Sequence, residues 1–544
     1  MGKIILYNKE AREKLKTGID KLAKAVGTTL GPKGRNVIYQ QDNGWPKSTR
    51  DGVSVAQQVK INDPMENMGA QALIEIASLT VDACGDGTST STILAQAIVT
   101  PGLKALERGA NPMDLKKGID KAVKVITEYL KSQSEAVNGN AEKLKQVATV
   151  SSNGDTEIGG MIAEAMDKVT ANGVILTDES RTSESALEIV KGMQFDKGVS
   201  STYFFNNQQN NMCILENPYI LITSKRVASV KDIINILPTK KEQQGQSLLI
   251  ISNDMDFQTL NTLALNKVQT GVKICVVKCP YFGQERTDFL QDIAVLTGGT
   301  FVDDGVGKKL ENVKMEQLGT CQRVIISKDS TTIIGGNGLV EAIDAREVVI
   351  NEQIAEAKTT FEKENLQKRI AKLKYGIAII YIGATTEMEL KEKIDRLDDA
   401  LGATKAAVAE GIVAGGGIMF IKALSALEGL KGANKDEDIG ISIIAKAIER
   451  PVWQIAENGG LDGNKMVSKI KGYHGVSDSL FDEIFNRNEF VGGDYGYNAR
   501  TEVFEDLKKA GVIDPTKVLR VALENAASIA SMLLTTECCI ANEK

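Results

Sequence analysis

The sequence predicts a multidomain protein of mixed α and α/β class, in which a helical part drawn from both ends of the chain brackets an α/β part. Three observations predict it. At 544 residues the chain is too long for one ordinary core and long enough for about three or four domain-sized units. Residues 1–130 and 410–544 share a helical texture. From about residue 191 to 375, short apolar runs alternate with helical stretches, the α/β pattern.

Taken in order, the first helix places Ala11, Leu15, Ile19, Leu22 and Val26 on one face. It stops at Gly27-Thr-Thr-Leu-Gly31-Pro32-Lys33-Gly34, a loop dense in breakers. A strand–turn–strand is expected over 36–39 and 47–53. Residues 65–130 read as helical. Met65, Met68, Ala72, Ile76 and Leu79 recur at spacings of three and four, and Ile93, Leu94, Ala97 and Ile98 resume the period after a break. Residues 140–190 mix helices with a short strand at 173–177. Strands are expected at 219–223, 247–252, 272–277 and 323–327. A helix over 350–373 would line Ile350, Ile354, Phe361, Leu366, Ile370 and Leu373 along a face, and a strand follows at 377–382. Residues 385–430 read as helical around Ala414-Gly-Gly-Gly417, and 516–535 as a long apolar helix.

Composition excludes several classes. The net charge is −6, with no basic block or aromatic–basic stripe, which disfavours nucleic acid as a partner. No run of eighteen apolar residues exists, so no membrane partner is expected. The N-terminus resembles neither a signal peptide nor a transit peptide, so a cytoplasmic protein is expected. Seven cysteines at irregular spacings fit a reducing compartment and buried free thiols. The single histidine, His474, lies in Gly-Tyr-His-Gly and reads as a solvated loop residue. Histidine-rich metal sites are excluded, so chemistry falls to carboxylates, hydroxyls, lysines or backbone.

Gly85-Asp-Gly-Thr-Ser-Thr90 lies where one helical pattern ends and the next begins. Gly85 and Gly87 allow close backbone approach, and a helix starting near Thr88 points free N–H groups and its positive dipole end into the turn. Thr88, Ser89 and Thr90 add hydroxyls. Asp86 beside an anion site makes sense if a divalent cation bridges it to phosphate. A plain Gly-rich turn with a threonine cap also fits the hexapeptide alone.

Further pieces lie in a recognisable order: Thr29-Leu-Gly-Pro-Lys-Gly-Arg-Asn36, Asp51-Gly-Val-Ser-Val55, Glu66-Asn-Met-Gly-Ala-Gln71, Gly85-Asp-Gly-Thr88, Asn111-Pro-Met-Asp-Leu115, Gly192-Met-Gln-Phe195, Leu296-Thr-Gly-Gly-Thr300, Gly411-Ile-Val-Ala-Gly-Gly-Gly417, Tyr495-Gly-Tyr-Asn498, Asp514-Pro-Thr-Lys517 and Thr535-Thr-Glu-Cys538. By these motifs the chain resembles the group I chaperonins, the GroEL family, from about residue 3 to 540.

The resemblance implies a helical equatorial ATP-binding domain over 1–132 and 410–544. It implies a small α/β intermediate domain over 133–190 and 377–409, and an α/β apical domain over 191–376. Upper hinges are expected at Gly192 and Gly376 and a lower one at Gly411. ATP, Mg2+ and K+ are the implied ligands. Thr29, Leu30, Gly31 and Pro32, with Asp86, Gly87, Thr88, Ser89 and Thr90, would cradle the phosphates. Asp86 would hold Mg2+; Thr29, Ser89 and the Arg50 backbone would hold K+. Asp51 and Asp399 would position the attacking water, Asp399 arriving from the intermediate domain. Gly416, Asn498, Ala499 and Asp514 would line adenine and ribose. Tyr203, Phe204, Ile234, Leu237, Leu260, Leu263 and Leu265 would bind non-native polypeptide on the apical surface. The implied function is ATP-dependent protein folding in homo-oligomeric seven-membered rings with a co-chaperonin, in a bacterial-type cytoplasm or a virus-infected bacterial cell. Without the resemblance, Asp399 beside Asp395, Arg396 and Asp398 reads as a solvated helix face, and the apical leucines read as core. Two other functions share these features: a ring-forming holdase with weak turnover, and a small-molecule phosphotransferase or ATPase. The latter needs an acceptor pocket, and the sequence has neither a Walker A motif nor a second catalytic constellation.

The chain departs from the family pattern at several positions. Arg50 stands for a lysine, Val199 for a tyrosine, Ala264 for a valine, Val137 for a proline and Tyr375 for a glycine. Pro238 is expected to end the first helix of the apical groove early. Arg500 stands near the adenine position, where a small residue is usual. Trp453 and Asp462 replace an arginine and a glutamate on the surface where double rings meet. Roughly twenty extra residues between Lys471 and Gly492, with Phe481, Ile484, Phe485 and Phe490, are expected to form a docking surface.

Overall fold

A computed structural model of the chain describes residues 2–41, 44–137, 140–152, 154–169, 173–180, 182–207, 210–237, 246–303, 309–357, 359–374, 376–475 and 492–542. Pro238, Tyr375 and the Phe481, Ile484, Phe485 and Phe490 segment lie outside the described residues, as does the Phe361 side chain. The chain forms two compact units, residues 1–163 with 384–544 and residues 164–383. The boundaries between these units, 163/164 and 383/384, fall inside the intermediate domain that the resemblance implies over 133–190 and 377–409.

The first unit is helical. Asn8–Gly27 buries Ala11, Leu15, Ile19, Leu22 and Val26, as its spacing predicts. Pro64–Cys84 packs against it closely: a Cβ on Gly69 would lie 2.1 Å from the Leu15 carbonyl oxygen. Asp63 caps that second helix, accepting from Met65 N at 2.9 Å and Glu66 N at 3.2 Å, with Pro64 at its first position. Of the expected stripe Met65, Ala72 and Ile76 are buried, while Met68 and Leu79 are exposed. Gly69, Ala70, Leu73, Ala77 and Thr80 are buried beside them, so the packed face includes small residues the stripe left out. Thr88–Glu107, Pro112–Ser132 and Thr516–Leu534 complete the central layer.

Three expectations change here. The strand expected over 47–53 is shorter, Pro46–Thr49, because Asp51 starts the helix Gly52–Gln58. The 385–430 stretch is the helix Glu387–Glu410 followed by a strand, Ile412–Ala414, which pairs antiparallel with Ile513–Pro515. His474 is half-buried at the C-terminus of Gly463–Tyr473 rather than solvated, with Nε2 2.8 Å from the Tyr495 carbonyl; burial lowers its pKa.

The second unit is α/β. Its main sheet runs in the order Lys273–Lys278, Ser247–Ser252, Tyr219–Thr223, Gly319–Ile326, Thr331–Gly336, Gly192–Phe195. The first three strands are parallel and fully apolar at their centres, as two-sided burial requires. The rest pair antiparallel. A smaller sheet has Ile377–Ile382 between Val174–Glu179, parallel, and Ala186–Val190, antiparallel. The expected 350–373 helix is two, Val340–Glu356 and Thr360–Lys374. Asp292, buried on Gly283–Thr297, ties both to that helix through Arg346 Nε at 2.8 Å and Arg369 Nε at 2.8 Å. All seven cysteines are free, and six are buried. Among the described residues no helix is long and apolar enough to cross a membrane.

Candidate functional site

Within the first unit, one cavity of about 680 Å3 gathers segments from both chain ends. Its first wall is the loop after Asn8–Gly27. The amides of Thr29 and Leu30 return to Val26 O and Gly27 O, and Gly31 takes φ +81°, where only glycine is unstrained. Asn458 braces this loop, its Nδ2 donating to Gly27 O at 2.9 Å and Leu30 O at 2.8 Å. The sequence reading missed Asn458, which sits in an ordinary helical stretch without a signal.

The second wall is the Gly85–Thr90 turn. Gly85 (φ +73°) ends Pro64–Cys84, and Gly87 (φ +90°) starts Thr88–Glu107. No side chain caps this start, so the amides of Thr88, Ser89 and Thr90 have no acceptor within the helix. The Ser89 hydroxyl lies 2.9 Å from the Thr29 hydroxyl, joining the two walls. These open amides at the positive end of a helix suit oxyanions.

Carboxylates converge on the turn. Asp51 caps Gly52–Gln58, accepting from Val53 N at 3.2 Å and Ser54 N at 2.9 Å, and this cap places its carboxylate at the cavity. Asp86 accepts from Gly87 N and from the Ser151 hydroxyl. Asp399 lies on Glu387–Glu410, within the same compact unit. That helix reaches the turn through Gly402: a Cβ on either Gly85 or Gly402 would fall 2.4 Å from the other's Cα. Gly402 is a second residue the sequence reading missed. Asp514 lies on Ile513–Pro515, opposite Val413.

These side chains keep some solvent exposure while their carboxylates are ringed by protein. Burial, then the charge of Asp86 and Asp51, pushes Asp399 up to about 9. Burial and then Asp86 push Asp514 up to about 7. Burial raises Asp86 as well, against the hydrogen bond from Gly87. Among the described residues none of the three has an ion-pair partner. A buried oxygen-donor acid without a cationic partner, as Asp86 is among the described residues, suits a divalent ion, which would supply the missing positive charge. Among the described residues no three such side chains form a ready-made metal cage, so bound phosphate oxygens would have to complete the shell.

Cationic groups face the same space. An Arg50 Nη–H donates to Gly31 O, but among the described residues its buried Nε–H has no acceptor. Arg396, another residue not anticipated, has the same unused Nε–H and only long contacts to Asp155 (3.7 Å) and Glu392 (3.5 Å). Burial and then Arg396 lower the Arg50 pKa. Gly416 (φ +67°), Asn498 and Ala499 line the far side. Asn498 is fixed there by donating to Glu505 at 2.8 Å and accepting from Arg500 N at 3.0 Å. The Arg500 guanidinium also lines the cavity and lies against Gly154. Every residue expected at phosphate, metal, water, adenine or ribose therefore lines one cavity.

The expected polypeptide-binding residues, all in the second unit, divide. Tyr203, Ile234 and Leu265 are 68%, 54% and 58% exposed. Phe204, Leu263 and Leu237 are 0%, 1% and 5% exposed and belong to the core, a correction to the expected surface. Leu260 is half-buried against that core. The reasons are local. The 3-10 turn Thr202–Phe204 turns Tyr203 out and Phe204 in. Phe257–Thr270 buries Thr259, Leu263 and Ala264 and presents Leu265 on the other side. Leu237 is the last described residue of its segment, shortly after the 3-10 turn Val230–Ile233, whose Ile233 is also buried.

A profile of the TCP-1/cpn60 chaperonin family matches residues 22–544. Among solved structures, the fold is similar to that of the chaperonin gp146 from the bacteriophage EL 2 (Pseudomonas aeruginosa), crystallised in the presence of ATP-BeFx. That similarity has a TM-score of 0.69 at 21% identity over 99% of this chain and 100% of that one. The profile is broader than the group I type that the motifs resemble. It covers nearly the whole length, both compact units and every wall of the cavity, and on that ground the chain belongs to the TCP-1/cpn60 chaperonin family.

Proposed function

We propose that this chaperonin is an ATP-driven protein-folding ring of the group I type. The observation that carries the reading is the convergence in one cavity of an uncapped helix start, buried acids without cationic partners and guanidinium N–H groups without acceptors. The likeness to a phage chaperonin crystallised with ATP-BeFx supports the choice of nucleotide.

In this reading the amides of Thr88, Ser89 and Thr90 and the Thr29–Pro32 loop bind phosphate oxygens. Asp86 holds Mg2+, and the oxygens of Thr29, Ser89 and the Arg50 backbone hold K+. When bound, these ions neutralise charge on the phosphate chain. Hydrolysis of a phosphoanhydride needs that neutralisation and an aligned water, with little covalent help. Asp51 and Asp399 align the water. With a pKa of about 9, Asp399 carries a proton at neutral pH and cannot accept one. It becomes a base only with cationic charge beside it. The site therefore activates water when loaded and not when empty. Gly416, Asn498, Ala499 and Asp514 flank base and ribose.

The same proposal divides the chain into equatorial (1–132, 410–544), intermediate (133–190, 377–409) and apical (191–376) domains. Delivery of Asp399 by the intermediate domain would couple turnover to closure. Non-native polypeptide is captured on Tyr203, Ile234 and Leu265, with Leu260 at their edge, by burial of apolar area without sequence specificity. Seven-membered rings, a co-chaperonin and a cytoplasmic setting, in a bacterium or a virus-infected one, complete the reading.

The test uses the assembled protein, Mg-ATP and a chemically unfolded monomeric enzyme. Unfolded protein should stimulate ATP hydrolysis, and active enzyme should be released. Capture without ATP-dependent release would indicate a holdase, and phosphate appearing on a small acceptor a phosphotransferase.

A further inference from the structure

The first unit contains a second cavity, about 810 Å3, that shares no wall residue with the first. Side chains from Asn8–Gly27, Thr88–Glu107, Lys435–Ala447, Arg450–Asn458 and Gly463–Tyr473 frame it.

Its charges do not cancel. Asp20 is neutralised by Lys16 and also accepts from Gln96 at 2.8 Å. Glu449 is neutralised twice, by Lys446 at 2.6 Å and by Lys471. Arg450 and Lys104 are left over. Among the described residues neither has a carboxylate within ion-pair distance, and Glu457 acts on Arg450 only through space.

The placement of Arg450 is poor for stability. It opens its helix at the end where the dipole opposes a cation. It is also half-buried, which lowers its pKa. What holds it is Trp453, with the guanidinium carbon 3.4 Å from the ring centroid. Trp453 is itself wedged, since a Cβ on Gly463 would lie 2.6 Å from its Cδ1. The result is a planar fork of donors stacked at a fixed angle, with no acceptor among the described residues, in a cavity that a second, exposed cation, Lys104, also lines. Such a fork matches the geometry of a phosphate oxyanion.

We propose that this cavity is a second ligand site, which binds a phosphate-bearing small molecule through Arg450 and Lys104. The shared chemistry is the phosphate oxyanion, free or esterified to a sugar; the cavity has room for the ester. The proposal is independent of the nucleotide reading.

The chain has two tryptophans, and Trp45 is exposed in a hairpin strand region away from this cavity. Trp45→Phe therefore leaves Trp453 as the reporter in the full-length protein. Inorganic phosphate and ribose 5-phosphate are titrated separately while its emission is followed. A saturable change with a Kd of about 1 mM or tighter is expected for at least one of them. Whichever probe binds more tightly identifies the source of the phosphate. Arg450→Gln should weaken binding about tenfold or more, and Arg450→Lys should retain part of it. Lys104→Gln, at an exposed side chain where substitution changes stability little, should also weaken it. The signal should persist in Asp86→Asn, which alters only the first cavity. No saturable change with either probe overturns the proposal. So does binding indifferent to both Arg450→Gln and Lys104→Gln, or binding lost in Asp86→Asn.

Discussion

Asp399 combines two opposed requirements in one carboxylate. Burial beside Asp86 and Asp51 holds its folded pKa at about 9 against an ordinary 3.8. A raised pKa means the fold favours the protonated form. The associated stability is complete below the ordinary value and is lost as pH rises through the folded value. Metal-free Asp399→Asn should therefore melt higher than wild type at neutral pH. The gap should be absent near pH 3.8, widen with pH and level off above about 9. The same variant, and Asp399→Ala, should bind ATP nearly normally yet turn it over slower by about two orders of magnitude or more. Near-normal turnover would remove Asp399 from the reaction. Asp86 makes a different prediction, because it sits at the turn itself. Asp86→Ala should fold and lose Mg2+-dependent nucleotide binding, measurable by calorimetry with and without the metal. Wild-type affinity for Mg-ATP would contradict the proposed metal role.

At the scale of elements, periodicity located helices well and most of their buried faces. Asn8–Gly27 has one apolar stripe, and its buried residues match the pattern. Pro64–Cys84 buries Met65, Ala72 and Ile76 as expected but also small residues such as Gly69 and Ala70, so counting large side chains missed part of its face. Ala186–Val190 carries a glutamate and little burial, so it gave no strand signal; pairing with Ile377–Ile382 makes it one. The cavity was legible through glycines and acids at fixed spacings. Arg396, Asn458 and Gly402 were not, because their roles arise from residues distant in sequence. The apical leucines show the same limit, since exposure is tertiary. Leu265→Ser should weaken capture of unfolded protein and leave basal ATPase unchanged. Leu237→Ser should instead destabilise the second unit by roughly 3 kcal/mol or more, as a polar group in a packed core. Reduced capture by Leu237→Ser without any loss of stability would return that residue to the surface. Asp292 is the electrostatic counterpart. Among the described residues Asp292→Ala leaves half-buried Arg346 without a carboxylate and Arg369 with only Asp288, 3.2 Å away, and should cost about 1–3 kcal/mol, read by denaturant unfolding. A change within ordinary surface effects would mean the arginines find other acceptors.

At the scale of the whole molecule, two residues bear on whether the proposed rings pair. The resemblance implies double rings that meet partly through oppositely charged side chains at the positions of Trp453 and Asp462. Only one of the two is available for that pairing here. Trp453 carries no charge and is covered on one face by Arg450. Asp462 caps its own helix with a single oxygen, Oδ1 accepting from Asn464 N at 3.0 Å and Lys465 N at 3.1 Å, and it remains exposed and charged. Losing the cationic partner removes the attraction and leaves an apolar ring in its place. Ring pairing should therefore be weak enough for single rings to be populated in at least one nucleotide state. The measurement is particle mass in dilute solution, taken for the apo, ATP and ADP forms. A seven-subunit particle in any of the three supports weakened pairing, and dilution should increase its share by mass action. Trp453→Arg together with Asp462→Glu should shift the population towards the particle of twice that mass. A fourteen-subunit species that persists in all three forms on dilution would mean that other residues join the rings.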